Sequence, residues 1–242
     1  MRSFTSQVWQ ILTNPDRFGI FVFEDKCVPW RVRIFLKKHF LRLYRILRYG
    51  HVNINTSKRW DHIWAREGTA TWRQYPVRFS RICEIVPAGA HVLDVGCGVG
   101  VLLKKIQSEE QCRVVGSDIS LAAIRRLSDA NIEGIVAALP DLPLAAGIFD
   151  VVIATEVIEH LDHPMKAFRE LARCLRSGGM LVVTVPNDTL APWEQDEHMH
   201  VFTRDSLSEM AEGVLFDTQI EVVRDTSEAR CDECLLLRGM KK

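Results

Sequence analysis

The segment Val92-Leu93-Asp94-Val95-Gly96-Cys97-Gly98-Val99-Gly100 sets three glycines at alternate positions after a short apolar run. A carboxylate stands two residues before the first of them. Such a segment reads as a strand that ends in a tight turn and hands over to a helix. Gly96 and Gly98 remove side chains where a ligand can rest on main chain, and Gly100 lets helix and strand approach closely. A dinucleotide-binding turn more often spaces its glycines G-x-G-x-x-G and presents helix amides to a pyrophosphate. Here the spacing is G-x-G-x-G. Asp94 is a poor neighbour for pyrophosphate but a good one for a ligand carrying ammonium and sulfonium cations. A nicotinamide dehydrogenase is disfavoured on both counts.

Two further pieces follow in order. Val114-Val115-Gly116-Ser117-Asp118-Ile119-Ser120 puts a carboxylate at the tip of the next strand. From there it can accept hydrogen bonds from both hydroxyls of a ribose. Glycine-rich turns also occur without ligands, and an aspartate after a strand is often a helix cap; within one βαβ unit the two pieces together point to a ligand. After a fourth apolar run, Phe149–Ala154, the chain turns abruptly polar at Thr155, Glu156, Glu159 and His160. The plain reading of that cluster is helix-start chemistry. The functional one is a site at the carboxyl edge of a parallel sheet, where ligands of open α/β folds bind.

These groups need a sheet to position them. From about Ile82 onward, short apolar runs alternate with segments of helical period. Strands are expected at His91–Val95, Arg113–Ser117, Ile132–Ala137, Asp150–Ala154, Met180–Val185, Gln219–Arg224 and Cys231–Leu237. Several are almost unbroken in apolar character, as parallel strands covered on both faces should be. Ser120 caps Leu121–Ser128, Asp162 and Pro164 open a helix that Gly178 closes, and Thr203 caps Arg204–Ala211. The result is an α/β, doubly wound domain.

Composition agrees with a globular chain: 47% hydrophobic, 26% charged, with 31 basic and 31 acidic residues in 242. The balanced charge gives no reason to expect nucleic acid as partner. Seven cysteines at irregular spacing read as small apolar fillers in a reducing compartment, and the lone pair Cys231 and Cys234 as packing. With neither a signal-peptide core nor an apolar run of spanning length, the expected address is cytoplasmic. The charge is unevenly spread, however. No Asp or Glu occurs between Lys26 and Trp60, where Lys and Arg cluster. Pro29 and Gly50 bracket a helix over Trp30–Tyr49 with Leu36, Phe40, Leu43 and Leu47 at helical spacing. Such a helix either lies on an anionic membrane surface, a peripheral contact at its inner face, or docks on its own domain with a solvated basic face.

The motifs VLDVGCGVG, VVGSDIS, FDVVIATEVIEHL and LRSGGMLVVTVPN resemble those of class I S-adenosylmethionine-dependent methyltransferases. The resemblance runs from about Arg59 to Val223 and is nearest to quinone-biosynthesis and small-molecule or sugar-cluster members. It implies a Rossmann-like, seven-stranded, mostly parallel sheet with one antiparallel strand in its last pair. The domain would span 58–242, after a helical N-terminal extension over 1–57. It implies S-adenosylmethionine as cofactor, with Asp94, Gly96, Cys97, Gly98 and Gly100 bordering its methionine and ribose portions. Asp118 would take the ribose hydroxyls and Ile119 would face the adenine. Thr155, Glu156 and Val157 would lie beside the sulfonium. Many relatives carry an acidic residue after the third strand that reaches the adenine amine. Here Ala138 stands in its place, followed by Leu139, so that backbone, Asp141 or apolar packing must serve. Trp60–Trp64 and Trp72–Tyr75 resemble an aromatic lead-in that covers the cofactor, although they equally suit helices packed on the sheet.

The expected reaction is transfer of the methyl group to a small-molecule or lipid- or sugar-linked acceptor, at oxygen. His160, His198 and His200 are the candidate bases, and His160 and His200 are taken as catalytic. No metal is assigned: Glu156, Glu159 and His160 alone are not a specific metal signature. The alternative is a non-catalytic S-adenosylmethionine-binding module attached to a membrane or complex through Trp30–Tyr49.

Overall fold

The computed structural model describes residues 30–49, 52–67, 75–187, 197–227 and 230–242. Its helices in chain order are α1 (Trp30–His39), α2 (Leu41–Tyr49), α3 (Ser57–Glu67), α4 (Pro76–Ile85), α5 (Val101–Glu110), α6 (Leu121–Ser128), α7 (Pro164–Cys174) and α8 (Arg204–Ala211). The strands are β1 (His91–Val95), β2 (Arg113–Asp118), β3 (Glu133–Val136), β4 (Phe149–Thr155), β5 (Leu175–Pro186), β6 (Leu215–Ser227) and β7 (Arg230–Lys241). They form one sheet in the order β3-β2-β1-β4-β5-β7-β6. β1 to β5 pair in parallel, and β7 runs antiparallel to both β5 and β6.

Alternation along each strand divides the core in two. Val92, Val114, Val151, Ile153 and Val182 face a layer that includes Ile82, Leu103, Ile106 and Leu127. Leu93, Val115, Val152, Leu181 and Val183 face another built on Phe168, Leu171 and Leu207. Helices thus cover both faces, which is why the strands lack polar alternation. Ser120 caps α6 by accepting from the Ala123 N–H at 3.1 Å, and Thr203 caps α8 through a capping box with Ser206.

Three expectations are corrected. The helix expected to close at Gly178 ends at Cys174, because Leu175 already pairs with Phe149 in the sheet. Gly178, at φ 67°, lies inside β5 where its register with β4 shifts. β6 and β7 extend well beyond their apolar cores. Their ladder continues through Phe216 opposite Met240 at one end and through Asp225 opposite Asp232 and Ser227 opposite Arg230 at the other. The single helix expected over Trp30–Tyr49 is two, separated at Phe40. The bonds Phe40 N–H to Leu36 O (2.8 Å) and Tyr44 N–H to Phe40 O (2.9 Å) nonetheless carry the helical pattern across the break.

Contacts divide the chain into two compact units, Met1–Ile54 with Ala191–Glu197 and Asn55–Leu190 with His198–Lys242. The first contains α1 and α2, the second the sheet and every other helix. Among the described residues no helix is long and apolar enough to cross a membrane. Trp72 and Cys27 lie outside the described residues.

Gly100 shows how tightly the turn after β1 is packed. Its φ is 75°, and a Cβ there would stand 2.2 Å from Leu127 Cδ2. Gly100→Ala is therefore expected to lower stability by about 1–3 kcal/mol, read as a reduced denaturation midpoint with an unchanged m-value.

Candidate active site

Strand order reverses between β1 and β4, so the carboxyl ends of β1, β2 and β4 open on one edge. The glycine turn leaves β1 there. The N–H groups of Gly96 and Cys97 donate to the Ser117 carbonyl at 2.7 and 3.1 Å. The Gly98 N–H donates to Asp118 Oδ2 at 2.9 Å, and Oδ1 of the same carboxylate accepts from the Ser120 N–H at 2.8 Å. Each Asp118 oxygen retains a second lone pair for a ligand hydroxyl.

Asp94 is 3% exposed, and its Oδ1 has no hydrogen-bond partner. Burial, and then the Asp118 charge, push its carboxyl up to about 7. Burial also raises Asp118, against the two backbone N–H groups that stabilise its charge. Two buried carboxylates side by side are poorly matched to each other and well matched to a cation. The cleft beside them holds about 340 Å3 of empty space, its open mouth included. Its lining includes Asp94, Gly96, Cys97, Gly98, Thr155, Phe79 and Trp64. A Cβ on Gly96 would lie 2.3 Å from Val157 Cγ2, and one on Gly98 2.5 Å from the Trp64 indole.

The residues expected at the cofactor thus largely converge: Asp94, Gly96, Cys97 and Gly98 with Thr155 on the cleft, Asp118 bonded to Gly98, Val157 against Gly96. Gly100 closes the turn by donating to the Cys97 carbonyl at 3.0 Å. Ile119 is half-buried beside Asp118 in sequence. After β3 the Ala137 N–H donates to the Asp118 carbonyl at 3.0 Å, which brings the Ala138–Leu139 turn beside β2. Ala138 and Asp141 are both exposed and close this turn through the Asp141 N–H to Ala138 O bond, while Leu139 packs on the apolar layer.

Glu156 has a different setting from the one expected. Its Oε1 stands 3.1 Å from Arg78 Nη1 and accepts the Thr184 hydroxyl at 2.9 Å. Arg78 is 1% exposed, although it belongs to the lead-in helix α4. Asp225, equally buried on β6, holds that helix: its Oδ1 accepts from the Val77 and Arg78 N–H groups at 2.8 and 3.2 Å. Asp225 Oδ2 lies 3.5 Å from Arg78 Nε, and the Tyr75 ring 4.3 Å from the guanidinium. Burial is the largest influence and opposes the Arg78 charge, but Glu156 and then Cys234, Tyr75 and Asp225 together outweigh it, and the pKa is raised. Sequence reasoning missed Arg78 and Asp225. The signal was present: Arg78 shares a helical face with Ile82 and Ile85, an arginine in the phase of the core.

Beyond Glu156, the His160 ring lies edge-on to His198 at 5.1 Å and to Trp60 at 5.5 Å between centroids. The Met199 and His200 N–H groups donate to the Glu159 carbonyl at 2.7 and 3.2 Å, which ties this late segment to the exit of β4. His200 itself lies beside Phe202, 6.1 Å between ring centroids, and its Nε2 is buried without a hydrogen-bond partner. Glu159, His160 and His198 bring donor atoms within 4.8 Å of one another, a set that a divalent cation can use. On the opposite flank, α3 is pinned by Asp61, whose Oδ1 accepts from the Ser120 hydroxyl (2.6 Å) and the Ala122 N–H (2.9 Å).

A methyltransferase-domain family matches residues 64–218, well over half of the chain. The chain belongs to the class I S-adenosylmethionine-dependent methyltransferases. A ubiquinone biosynthesis O-methyltransferase from Xanthomonas axonopodis pv. citri is 36% identical over 124 residues, 48% of this chain and 52% of that protein. The tRNA (carboxymethyluridine(34)-5-O)-methyltransferase of Arabidopsis thaliana is 35% identical over 105 residues, 42% of this chain and 25% of that protein. The chain therefore spans between a quarter and about half the length of these relatives. The N-methyltransferase NodS from Bradyrhizobium japonicum, solved with S-adenosylhomocysteine, shares the fold with a TM-score of 0.62 at 19% identity. That likeness covers 77% of this chain and 98% of the NodS chain.

The methyltransferase cofactor fits the residues present. Asp94, with one oxygen lacking a hydrogen bond, would hold its cationic end, and Asp118 its ribose hydroxyls. Because the folded pKa of Asp94 lies above its ordinary 3.8, the unliganded protein loses stability as pH rises through about 4 to 7. A cation counters that loss. Calorimetry should show the preference for S-adenosylmethionine over S-adenosylhomocysteine rising from about pH 6 to about pH 8. Asp94→Asn should flatten that rise and reduce the preference by roughly tenfold. An unchanged profile would remove Asp94 from the neighbourhood of the sulfonium. Separately, Arg78→Met takes the cation from buried Asp225 and half-buried Glu156 and should cost about 3 kcal/mol in denaturant unfolding, with Arg78→Met/Glu156→Gln recovering part of it.

Proposed function

We propose that this methyltransferase moves the methyl group of S-adenosylmethionine to an oxygen of a small-molecule or lipid-linked acceptor. The observation that carries the reading is the imidazole cluster at the exit of β4, immediately beyond the cleft residue Thr155. The bound cofactor supplies an electrophilic methyl group on a good leaving group. Holding the acceptor in line and excluding water then supply much of the acceleration. A hydroxyl acceptor must in addition lose a proton, and an imidazole can take it near neutral pH.

The surroundings of His160 favour that role. Its Nε2 lies 3.8 Å from Glu159 Oε1, and its side chain is 13% exposed. Burial, and then the Glu156 charge, push the Glu159 carboxyl well above its ordinary range. His200, with its buried Nε2, is the second candidate. The two curated relatives named above are both O-methyltransferases, which supports oxygen as the acceptor atom.

Labelled S-adenosylmethionine incubated with the protein and cell extract, followed by mass spectrometry, should recover the label on oxygen of a low-mass or lipid product. His160→Ala should lower kcat by about 10²-fold or more while leaving cofactor affinity unchanged. Label on nitrogen or carbon, or full activity without the imidazole, would overturn the assignment.

A further inference from the structure

We infer that α1 and α2 form a docking surface for an anionic lipid bilayer. The sequence allows two arrangements of this basic segment, one with the apolar stripe packed on protein and one with the stripe facing outward. Helical period places Val32, Phe35, Phe40 and Leu43 on one side, and these are between 45% and 54% exposed. The rings of Phe35 and Phe40 stand 6.1 Å apart, so the aromatic part of the stripe is continuous across the break between the helices. Arg45, on the opposite side, is 2% exposed, and Tyr44 on the flank is 5% exposed. Within these two helices the aromatic pair is exposed, as is Ile34 at 44%, whereas Tyr44 and Arg45 are buried.

Adjoining large apolar side chains left outward mark an interaction surface. Charge identifies its occupant. Apart from histidine, every ionisable group on α1 and α2 other than tyrosine is Arg or Lys, and no acidic residue occurs from Lys26 to Trp60. A bilayer with anionic headgroups answers both features: Phe35 and Phe40 enter the acyl boundary, and cations such as Lys38 and Arg42 meet the phosphates. A second copy would set like charges together, and nucleic acid would leave the apolar stripe in water. Neither helix is long enough to cross, so the segment lies in the interface plane. The docking stands independently of the methyl-transfer reading. Only its corollary, that a lipid-linked acceptor is met at the bilayer, rests on that reading.

The test is flotation of the full chain with phosphatidylcholine vesicles, with and without about one third phosphatidylserine. The protein should float with the anionic vesicles and not with the neutral ones. Phe35→Ser/Phe40→Ser should lower the bound fraction by about tenfold or more, and Lys38→Glu/Arg42→Glu should do likewise while weakening the dependence on salt. S-adenosylhomocysteine binding should be unchanged in both variants, which reports that the domain is folded and keeps the two readings separable. Absence of flotation on anionic vesicles would overturn the inference, as would an unaffected serine variant. So would a dimer in light scattering that the serine variant abolishes, since the face would then belong to a second copy.

Discussion

The carboxylate of Asp118 joins four elements that are remote in sequence. One oxygen holds the Gly98 N–H of the turn after β1, and the other holds the Ser120 N–H at the start of α6. Ser120 in turn caps α6 and donates its hydroxyl to Asp61 on α3. The turn, the second strand, its following helix and the lead-in helix are thus positioned by one buried charged group and its neighbours. Burial makes this arrangement demanding, because an ionised carboxylate out of water needs its donors. The backbone supplies them only if the glycine turn adopts its left-handed conformations.

The same edge carries more negative than positive charge, and the distribution explains which groups bind and which brace. Asp94 is buried without a donor to one oxygen, and like charge from Asp118 lifts its pKa. We propose that a cationic cofactor completes this arrangement. Glu156 is of the same chemical type and only a few ångströms of chain from Thr155, yet Arg78 and Thr184 already engage it. It braces the exit of β4 against α4 and β6. Two carboxylates that look equivalent along the chain therefore have different work, decided by whether a buried guanidinium stands beside them.

Much of this architecture was legible along the chain. The five parallel strands, the caps at Ser120 and Thr203 and the glycine turn all depend on local pattern: apolar runs of strand length, hydroxyls before helices, glycines where a side chain would collide. Errors arose where a long-range partner overrode local pattern. Leu175 left its helix because Phe149 offered a strand to pair with, and β6 and β7 lengthened because each supplied the other's hydrogen bonds. The segment Trp30–Tyr49 shows a further limit. Periodicity identifies an apolar stripe, but not which way the stripe faces.

By itself, then, the sequence determined the chemistry available at the carboxyl edge: the glycine turn with Asp94, Asp118 at the next strand tip, and the polar exit of β4 with His160. These are close in sequence to the strand ends that carry them, so strand order suffices to place them. Only the tertiary structure decided that an Asp94 oxygen is buried without a hydrogen bond while Glu156 stands against Arg78. Only it brought Asp225 to Arg78 and His198 to His160. Those pairs lie far apart along the chain, and neither periodicity nor residue type specifies which distant side chain will share a buried volume.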